Sequence, residues 1–214
     1  MRLEDYMKCS LCKGNGRIFF ENDNIKYYSC KRCGAIFMDP KNYLSVAEEK
    51  ERYEEHNNDV EDKRYQNFVS DIVKNIKKDW ESNSEGLDFG AGTGPVVAKL
   101  LREEGHKVDI YDPFFWNKEN HLKKNYDYIV ACEVIEHFHN PLNEFELLNS
   151  LLKEGGKLYC KTEIHKDNID FKDWYYKNDP THVFFYNENV FKWIVENLGF
   201  KSYSISDRII VLNK

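Results

Sequence analysis

No apolar run in this sequence approaches the ~18 residues that a membrane-spanning helix needs. The first residues also lack a hydrophobic signal segment, so the sequence predicts a cytoplasmic protein with no membrane partner. Cationic residues are not in surplus: the formal net charge is −6, which disfavours a surface built for nucleic acid but leaves room for local basic patches. The 214 residues, 41% of them apolar, suffice for one α/β domain and a small appendage.

The six cysteines divide into two kinds. Four form two C-x-x-C pairs separated by seventeen residues, a spacing typical of a structural zinc site with four thiolate ligands. Disulfide bonds are the alternative, which a cytoplasmic location disfavours. The other two, Cys132 and Cys160, lie in apolar runs and are expected to be buried thiols. The sequence therefore predicts a zinc ribbon over residues 1–40, with ligands Cys9, Cys12, Cys30 and Cys33.

Residues 41–80 are highly charged and are predicted to form a helical linker or cap. An apolar stripe at helical spacing, from Phe68 to Ile76, is expected to pack one helix onto a sheet. Three tyrosines in this segment could line a substrate entrance, but core packing is the favoured interpretation for Tyr43, Tyr53 and Tyr65.

A glycine-rich stretch, Leu87 to Gly94, reads as strand, tight turn and helix. Its G-x-G-x-G spacing differs from the G-x-G-x-x-G of dinucleotide folds. Glycine lets a ligand approach the backbone, and the following helix N-terminus favours a carboxylate. Asp88 adds a negative charge suited to an ammonium group. A nucleoside that carries both groups is S-adenosylmethionine; the alternative is a glycine-rich turn in another α/β protein.

At these residues the sequence resembles the class I S-adenosylmethionine-dependent methyltransferases, whose first motif reads acid-x-G-x-G-x-G. The resemblance runs from about Glu85 to the C-terminus and implies S-adenosylmethionine as cofactor. Alternating strands and helices predict an α/β fold over residues 81–214, with a Rossmann-like, mostly parallel sheet of the seven-stranded type. The last two strands, joined by Ser206 and Asp207, must be antiparallel, as in that family.

The next acid at a strand end is Asp112, 18 residues after Gly94, near the distance at which dinucleotide folds place a ribose ligand. The resemblance implies the same role here. The family pattern then breaks, because the stretch from Asp112 to Tyr126 is too short for another strand and helix, and the usual acid for the adenine amino group is not found. The predicted cofactor-binding residues are Asp88, Gly90, Ala91, Gly92, Gly94, Asp112, Pro113, Phe114, Cys132 and Glu133.

A second motif, Glu133 to His137, follows a buried strand. It resembles the E-x-x-E-H of ubiquinone-pathway O-methyltransferases and of small-RNA 3′-terminal 2′-O-methyltransferases, where it is associated with a divalent metal and a later histidine. The resemblance implies that Mg²⁺ or another divalent ion is held by Glu133, Glu136, His137 and His182. In the alternative, Glu133 contacts the methionine end of the cofactor, and His137 is a general base or a helix-start residue.

Methyl transfer requires an aligned nucleophile and removal of its proton. His137 and His182 are the predicted catalytic residues, ahead of His139 and His165, and Trp174 to Tyr176 are expected to shape the acceptor pocket. The predicted function is O-methylation of a small-molecule acceptor. The alternatives are an RNA methyltransferase that uses the ribbon as a clamp, and a module that binds the cofactor without catalysis.

Overall fold

The computed structural model describes residues 6–22, 25–55 and 59–214. The strands are β1 (Tyr6–Lys8), β2 (Asn15–Asn22), β3 (Ile25–Cys30), β4 (Ile36–Met38), β5 (Glu85–Phe89), β6 (Lys107–Tyr111), β7 (Tyr126–Cys132), β8 (Leu152–Lys161), β9 (Phe184–Phe185), β10 (Ser202–Ser206) and β11 (Ile209–Asn213). The helices are α1 (Val46–Glu55), α2 (Lys63–Asp79), α3 (Val96–Glu103), α4 (Pro141–Leu151) and α5 (Glu188–Asn197). Within these described residues, no helix has the length and apolar character needed to cross a bilayer.

The main sheet of the described chain has the strand order β10-β11-β8-β7-β5-β6. Strands β8, β7, β5 and β6 are parallel, and β11 is antiparallel to both of its neighbours. Helices α2 and α3 contribute to the core on one face, and α4 and α5 to the core on the other. The predicted α/β fold with a reversed last strand is confirmed.

The sheet ends at β6. In the described stretch between Asp112 and Tyr126 the chain forms an Asp112–Trp116 bridge and one short 3-10 helix, Glu119–Lys123, with no further strand. The third strand of the seven-stranded pattern therefore has no counterpart there, as the short stretch implied. This leaves β6 as an edge strand of the sheet.

Helix α2 buries a stripe that differs by one residue from the predicted one. Val69, Ile72, Val73 and Ile76 are buried, whereas Phe68 is partly exposed. The Phe68 ring instead lies under the ammonium of Lys161, 4.2 Å from its centroid. A cation over an aromatic face is a favourable contact, so Phe68 packs against the edge of the apolar core and also supports the Lys161 ammonium.

The N-terminal ribbon is joined to the main body by backbone pairing. Its antiparallel sheet, β1-β2-β3-β4, is completed by β9, which comes from the C-terminal third of the chain. The N–H of Met38 donates to the carbonyl of Val183 at 2.8 Å, and the N–H of Val183 donates to the carbonyl of Glu136 at 3.0 Å. The ribbon therefore supports the segment that carries His182 and the E-x-x-E-H motif.

Candidate active site

A cavity of about 730 Å³ opens at the carboxyl ends of β5, β6 and β7, where parallel sheets ordinarily bind ligands. Helix α1 covers one side of it and contributes Glu49 and Tyr53 to the lining. The lining includes all ten residues predicted to bind the cofactor and both predicted catalytic histidines. One cavity thus brings together predicted site residues that are up to 94 positions apart, from Asp88 to His182.

The glycine-rich turn is shaped by its own backbone bonds. Gly90 and Gly92 have φ values of +74° and +62°, which glycine adopts without strain. The N–H of Gly90 donates to the carbonyl of Tyr111 at 2.8 Å, and the N–H of Gly92 donates to the Asp112 carboxylate at 2.9 Å. A Cβ built on Gly90 would lie 2.6 Å from both methyl groups of Val134, another cavity residue. The turn therefore has room for a ligand only while residue 90 lacks a side chain.

We expect Gly90→Ala to weaken binding of S-adenosylhomocysteine at least about tenfold, the equivalent of 1.4 kcal/mol. The new methyl group would push Val134 into the cavity, and the left-handed backbone adds a strain of about 1–2 kcal/mol. Gly155→Ala is the matched control, because Gly155 has a φ of +77° but no atom within 4 Å of its built Cβ. Titration calorimetry measures both, and equal affinities in the two variants would contradict the assignment of the turn.

Asp88 is buried at the end of β5, and its carboxylate accepts a hydrogen bond of 3.0 Å from the N–H of Ala98 in α3. Burial raises the pKa of Asp88 to about 7, while the bond from Ala98 opposes that shift. The carboxylate thus stabilises the start of α3 and lines the cavity at the same time. Its contact with an ammonium group of the cofactor stays a prediction.

The raised pKa of Asp88 gives a testable dependence of stability on pH. The folded protein holds the proton more tightly than the unfolded chain, so the contribution of Asp88 to stability falls as pH rises from about 4 to about 7. Without ligand, we expect the melting temperature of Asp88→Asn to decline less between pH 5 and pH 8 than that of the parent. Asp173→Asn, in an exposed loop, is the control, and parallel declines in all three proteins would refute the expectation.

Asp112 closes the turn that follows β6. Its Oδ1 accepts hydrogen bonds from the N–H groups of Phe114 and Phe115, at 2.8 and 3.1 Å, and its Oδ2 accepts the bond from Gly92. The indole of Trp116 donates to the carbonyl of Gly92 at 2.9 Å. The two turns at the ends of β5 and β6 are therefore fixed to each other, which presents a formed pocket to a ligand.

Glu133 adopts a φ of +53°, a backbone conformation that costs free energy for a residue with a side chain and that concentrates at functional sites. Its Oε2 accepts a hydrogen bond of 2.6 Å from Arg208, and its Oε1 is buried without a partner among the described residues. Burial and the neighbouring Glu136 raise the pKa of Glu133 to about 8, against the opposing effect of Arg208. Arg208, a residue that the sequence reasoning missed, thus holds this carboxylate in place.

Glu136 and the two histidines form one cluster. The Oε1 of Glu136 accepts a hydrogen bond from the hydroxyl of Tyr176, and its buried Oε2 has no partner in the described chain. The Nδ1 atoms of His137 and His182 lie 3.0 and 2.6 Å from backbone carbonyls, to which they donate. One ligand atom from each of Glu136, His137 and His182 lies within 4.8 Å of the others. Glu133 is not part of this group.

His182 is held from several sides. Arg52 of α1 pairs with Asp179 at 2.8 Å, and Asp179 accepts hydrogen bonds from the N–H and the hydroxyl of Thr181. Burial and the nearby His137 lower the pKa of His182. The imidazole therefore stays neutral at physiological pH, the form that accepts a proton.

Other predictions for the site need correction. His165 packs against Phe19, Phe171 and Trp174 and does not line the cavity. His139 lines it but pairs with Glu49 at 3.1 Å.

Of the expected acceptor-pocket aromatics, Trp174 is buried beside the ribbon, Tyr175 is exposed, and Tyr176 supports Glu136. Tyr43 and Tyr65 pack against the core, as the favoured interpretation held, and Tyr53 and Tyr65 also line the cavity.

The four paired cysteines lie together, with their sulfur atoms within 4.8 Å of one another and all four side chains buried. Two matched turns carry them: the N–H of Lys13 donates to the carbonyl of Cys9, and the N–H of Gly34 donates to that of Cys30. Lys13 and Gly34 end the two turns with φ values of +57° and +80°, so both turns close through a left-handed residue. Four thiolates at this spacing fit a closed tetrahedral zinc site.

Comparison with known proteins agrees with this geometry. A family model described as a methyltransferase domain matches residues 61–205, and the chain belongs to this family. No curated protein sequence matches the chain. A SAM-dependent methyltransferase from Archaeoglobus fulgidus superposes with a TM-score of 0.54 and 17% identity, over 70% of this chain and 94% of the other. An O-methyltransferase family protein from Burkholderia thailandensis gives 0.51 and 13%, over 69% of this chain and 56% of the other.

At these identities the superpositions show a shared fold. The matched region spans just over half of the Burkholderia protein and nearly all of the Archaeoglobus protein. The expected class, a methyltransferase with the fold of the S-adenosylmethionine-dependent enzymes, is thereby confirmed at the level of family and fold.

Proposed function

We propose that this protein transfers a methyl group from S-adenosylmethionine to a hydroxyl group of a small-molecule acceptor. The observation that carries the proposal is the single cavity shared by the glycine-rich turn, the Asp112 turn and the two histidines. Its volume of about 730 Å³ falls within the range of small-molecule sites. That volume leaves room for an acceptor beside the cofactor.

The shape of the glycine-rich turn and the position of Asp112 fit this cofactor. The turn at Gly90 is a cradle that a side chain would fill, and the neighbouring Asp112 is held toward the cavity by three N–H groups. When bound, S-adenosylmethionine supplies a methyl group already activated on a sulfonium. What the chain must add is alignment of the acceptor and removal of its proton.

His182 is the proposed general base. Its Nδ1–H donates to the carbonyl of Tyr176. Nε2 is therefore the atom that takes the proton from the hydroxyl group of the substrate. A carboxylate oxygen of Glu136 lies within 4.8 Å of a nitrogen of each ring, where it stabilises a positive charge on the imidazole. His137 lies edge-to-face against His182 with 4.8 Å between centroids, and its Nδ1 bond to Thr181 fixes the ring. The pair thus presents one proton acceptor with a fixed orientation.

The same cluster fits a divalent ion in its donor chemistry. Glu136, His137 and His182 would hold it, since a backbone bond at each Nδ1 is the usual support for a metal-binding imidazole, and Nε2 of His182 would then be a ligand instead of the base. Two imidazoles favour Mn²⁺, Fe²⁺ or Zn²⁺ over Mg²⁺. Such an ion would lower the pKa of the acceptor hydroxyl. Glu133, included in the ligand set predicted from the sequence, is instead engaged by Arg208.

Several features favour a small acceptor over RNA. Helix α1 covers the cavity, and the side chains of Glu49 and Glu144 line it. A phosphate backbone entering this space would meet like charges. The zinc ribbon has a structural role in the proposal, because it pairs through β4 with the strand next to His182.

The proposal is tested by supplying methyl-labelled S-adenosylmethionine with a panel of phenols and nucleotide sugars in one arm and total RNA in the other. We expect label in the small-molecule fraction, with turnover that changes little between low and moderate salt. Label in RNA, with a steep loss of activity as salt rises, would support the RNA alternative instead. Cofactor binding with no labelled product in either arm would support the non-catalytic module.

A further inference from the structure

One corner of the cavity is polar, and its two residues have no binding or catalytic role in the proposed function. Asn140 and Glu144 lie one turn apart at the start of α4, so their side chains share a face of the helix, and both line the cavity. Asn140 occupies the cap position but makes no capping hydrogen bond, and its Oδ1 is buried without a partner in the described chain. The Glu144 carboxylate likewise has no hydrogen-bond or ion-pair partner among the described residues. Asn140 Oδ1 and the Glu144 carboxylate are therefore two hydrogen-bond acceptors without a donor among the described residues.

Glu144 lies on the β6 side of the cavity. Glu144 and Asp112 both raise the pKa of Tyr111, the last residue of β6, so Glu144 is close to this strand end. Asp112, the predicted ribose ligand, is the next residue along the chain. Phe138 and Leu147 line the cavity on the same side and add apolar surface. A flat base attached to a ribose at Asp112 would reach this corner.

The sheet leaves this side of the cavity open. Strand β6 is its last strand in the described chain, and the stretch to Tyr126 brings no strand end with an acidic residue next to β6. A hydrogen-bond acceptor for the base must therefore come from another element. Helix α4 is the element that borders the gap, and its first turn carries both unpartnered acceptors.

We propose that Glu144, with Asn140 beside it, accepts the hydrogen bonds of the adenine amino group and so makes the site specific for an adenine nucleoside. The inference rests on the proposed function, because it assigns the base of the same cofactor. The chemistry matches, since an exocyclic amino group offers two N–H donors and no acceptor to a carboxylate and an amide oxygen. Burial disfavours the charged form of Glu144 and so raises its pKa. Hydrogen-bond donors at its oxygens would offset the cost of burying this carboxylate.

The test compares S-adenosylhomocysteine with its 6-desamino analogue, in which purine replaces adenine, by titration calorimetry. The parent protein should bind the desamino analogue about 10- to 100-fold more weakly, the range for a lost hydrogen bond to a charged group. Glu144→Met keeps the size of the side chain and removes the acceptor. It should reduce the ratio of the two dissociation constants at least about tenfold, leaving the smaller contribution of Asn140. Glu146→Met, on the exposed side of the same helix, should keep the parent ratio.

Asn140→Ala is a second variant that does not depend on how Glu144→Met folds. Because Asn140 makes no capping bond, alanine removes only the free acceptor, and the ratio should fall by about 2- to 10-fold, as for one neutral hydrogen bond. A parent ratio near one, or a full ratio in both variants, would overturn this inference while leaving the cofactor proposal intact. Failure of the parent to bind either ligand would contradict the cofactor proposal and the inference together.

Discussion

Alanine in place of His182 is expected to lower the rate of methyl transfer by about 10²- to 10⁴-fold, the usual contribution of a positioned general base. The dissociation constant for S-adenosylhomocysteine should change only slightly, because His182 belongs to the acceptor side of the cavity. The physical reason is the fixed ring: its Nδ1 bond to Tyr176 leaves Nε2 as the acceptor, and burial keeps the imidazole neutral.

The measurement is single-turnover transfer to an acceptor identified in the panel, together with calorimetry of the product nucleoside. His121→Ala is a matched control, because His121 also binds a backbone carbonyl through Nδ1, at 2.9 Å from Ile110, but lies outside the cavity. In the parent, the lowered pKa of His182 predicts that transfer falls only as pH drops below about 6.5. Full methyl-transfer activity in His182→Ala would exclude His182 as the base. So would a parent protein whose activity is half lost already at alkaline pH.

Serine in place of Cys30 is expected to abolish stoichiometric zinc binding and to unfold the ribbon. Structural zinc contributes as much as about 10–16 kcal/mol to the folding of small zinc modules, far more than a ribbon of this size can gain from its apolar surface. The damage should extend to catalysis, because β4 of the ribbon pairs with β9, two residues after His182. Few single substitutions elsewhere should cost as much stability.

Metal analysis of the purified protein and thermal unfolding measure this effect. Ser29→Ala is the control, since Ser29 precedes Cys30 in β3 and its hydroxyl has no hydrogen bond to another described residue. Chelation of the parent should lower its melting temperature as the substitution does. Retention of zinc by Cys30→Ser, or a parent that is equally stable with and without metal, would exclude the structural role.

The parts of the site that the sequence predicted are those encoded in short stretches. The glycine-rich turn, Asp112 and the E-x-x-E-H motif each follow a strand, and parallel strands bring their carboxyl ends together, so local patterns were enough to place ten residues around one cavity. The absent third strand was also predictable, because the stretch from Asp112 to Tyr126 has too few residues to form it.

What the sequence could not predict depends on pairing between distant segments. Nothing in Phe184–Phe185 alone indicates that it completes the ribbon sheet, and nothing near Arg208 indicates that it holds Glu133, 75 positions away. Tyr53 and Tyr65 lie at helical positions that suit burial in a core as well as a cavity wall. Their place was decided by where α1 and α2 pack, which is a property of the tertiary fold.

The most direct test of the account is titration calorimetry of the purified protein with S-adenosylhomocysteine. We expect saturable binding at one site per chain, weakened by Gly90→Ala and unaffected by Gly155→Ala. Absence of any binding signal from a folded, zinc-loaded protein would contradict the assignment of the cavity and the function derived from it.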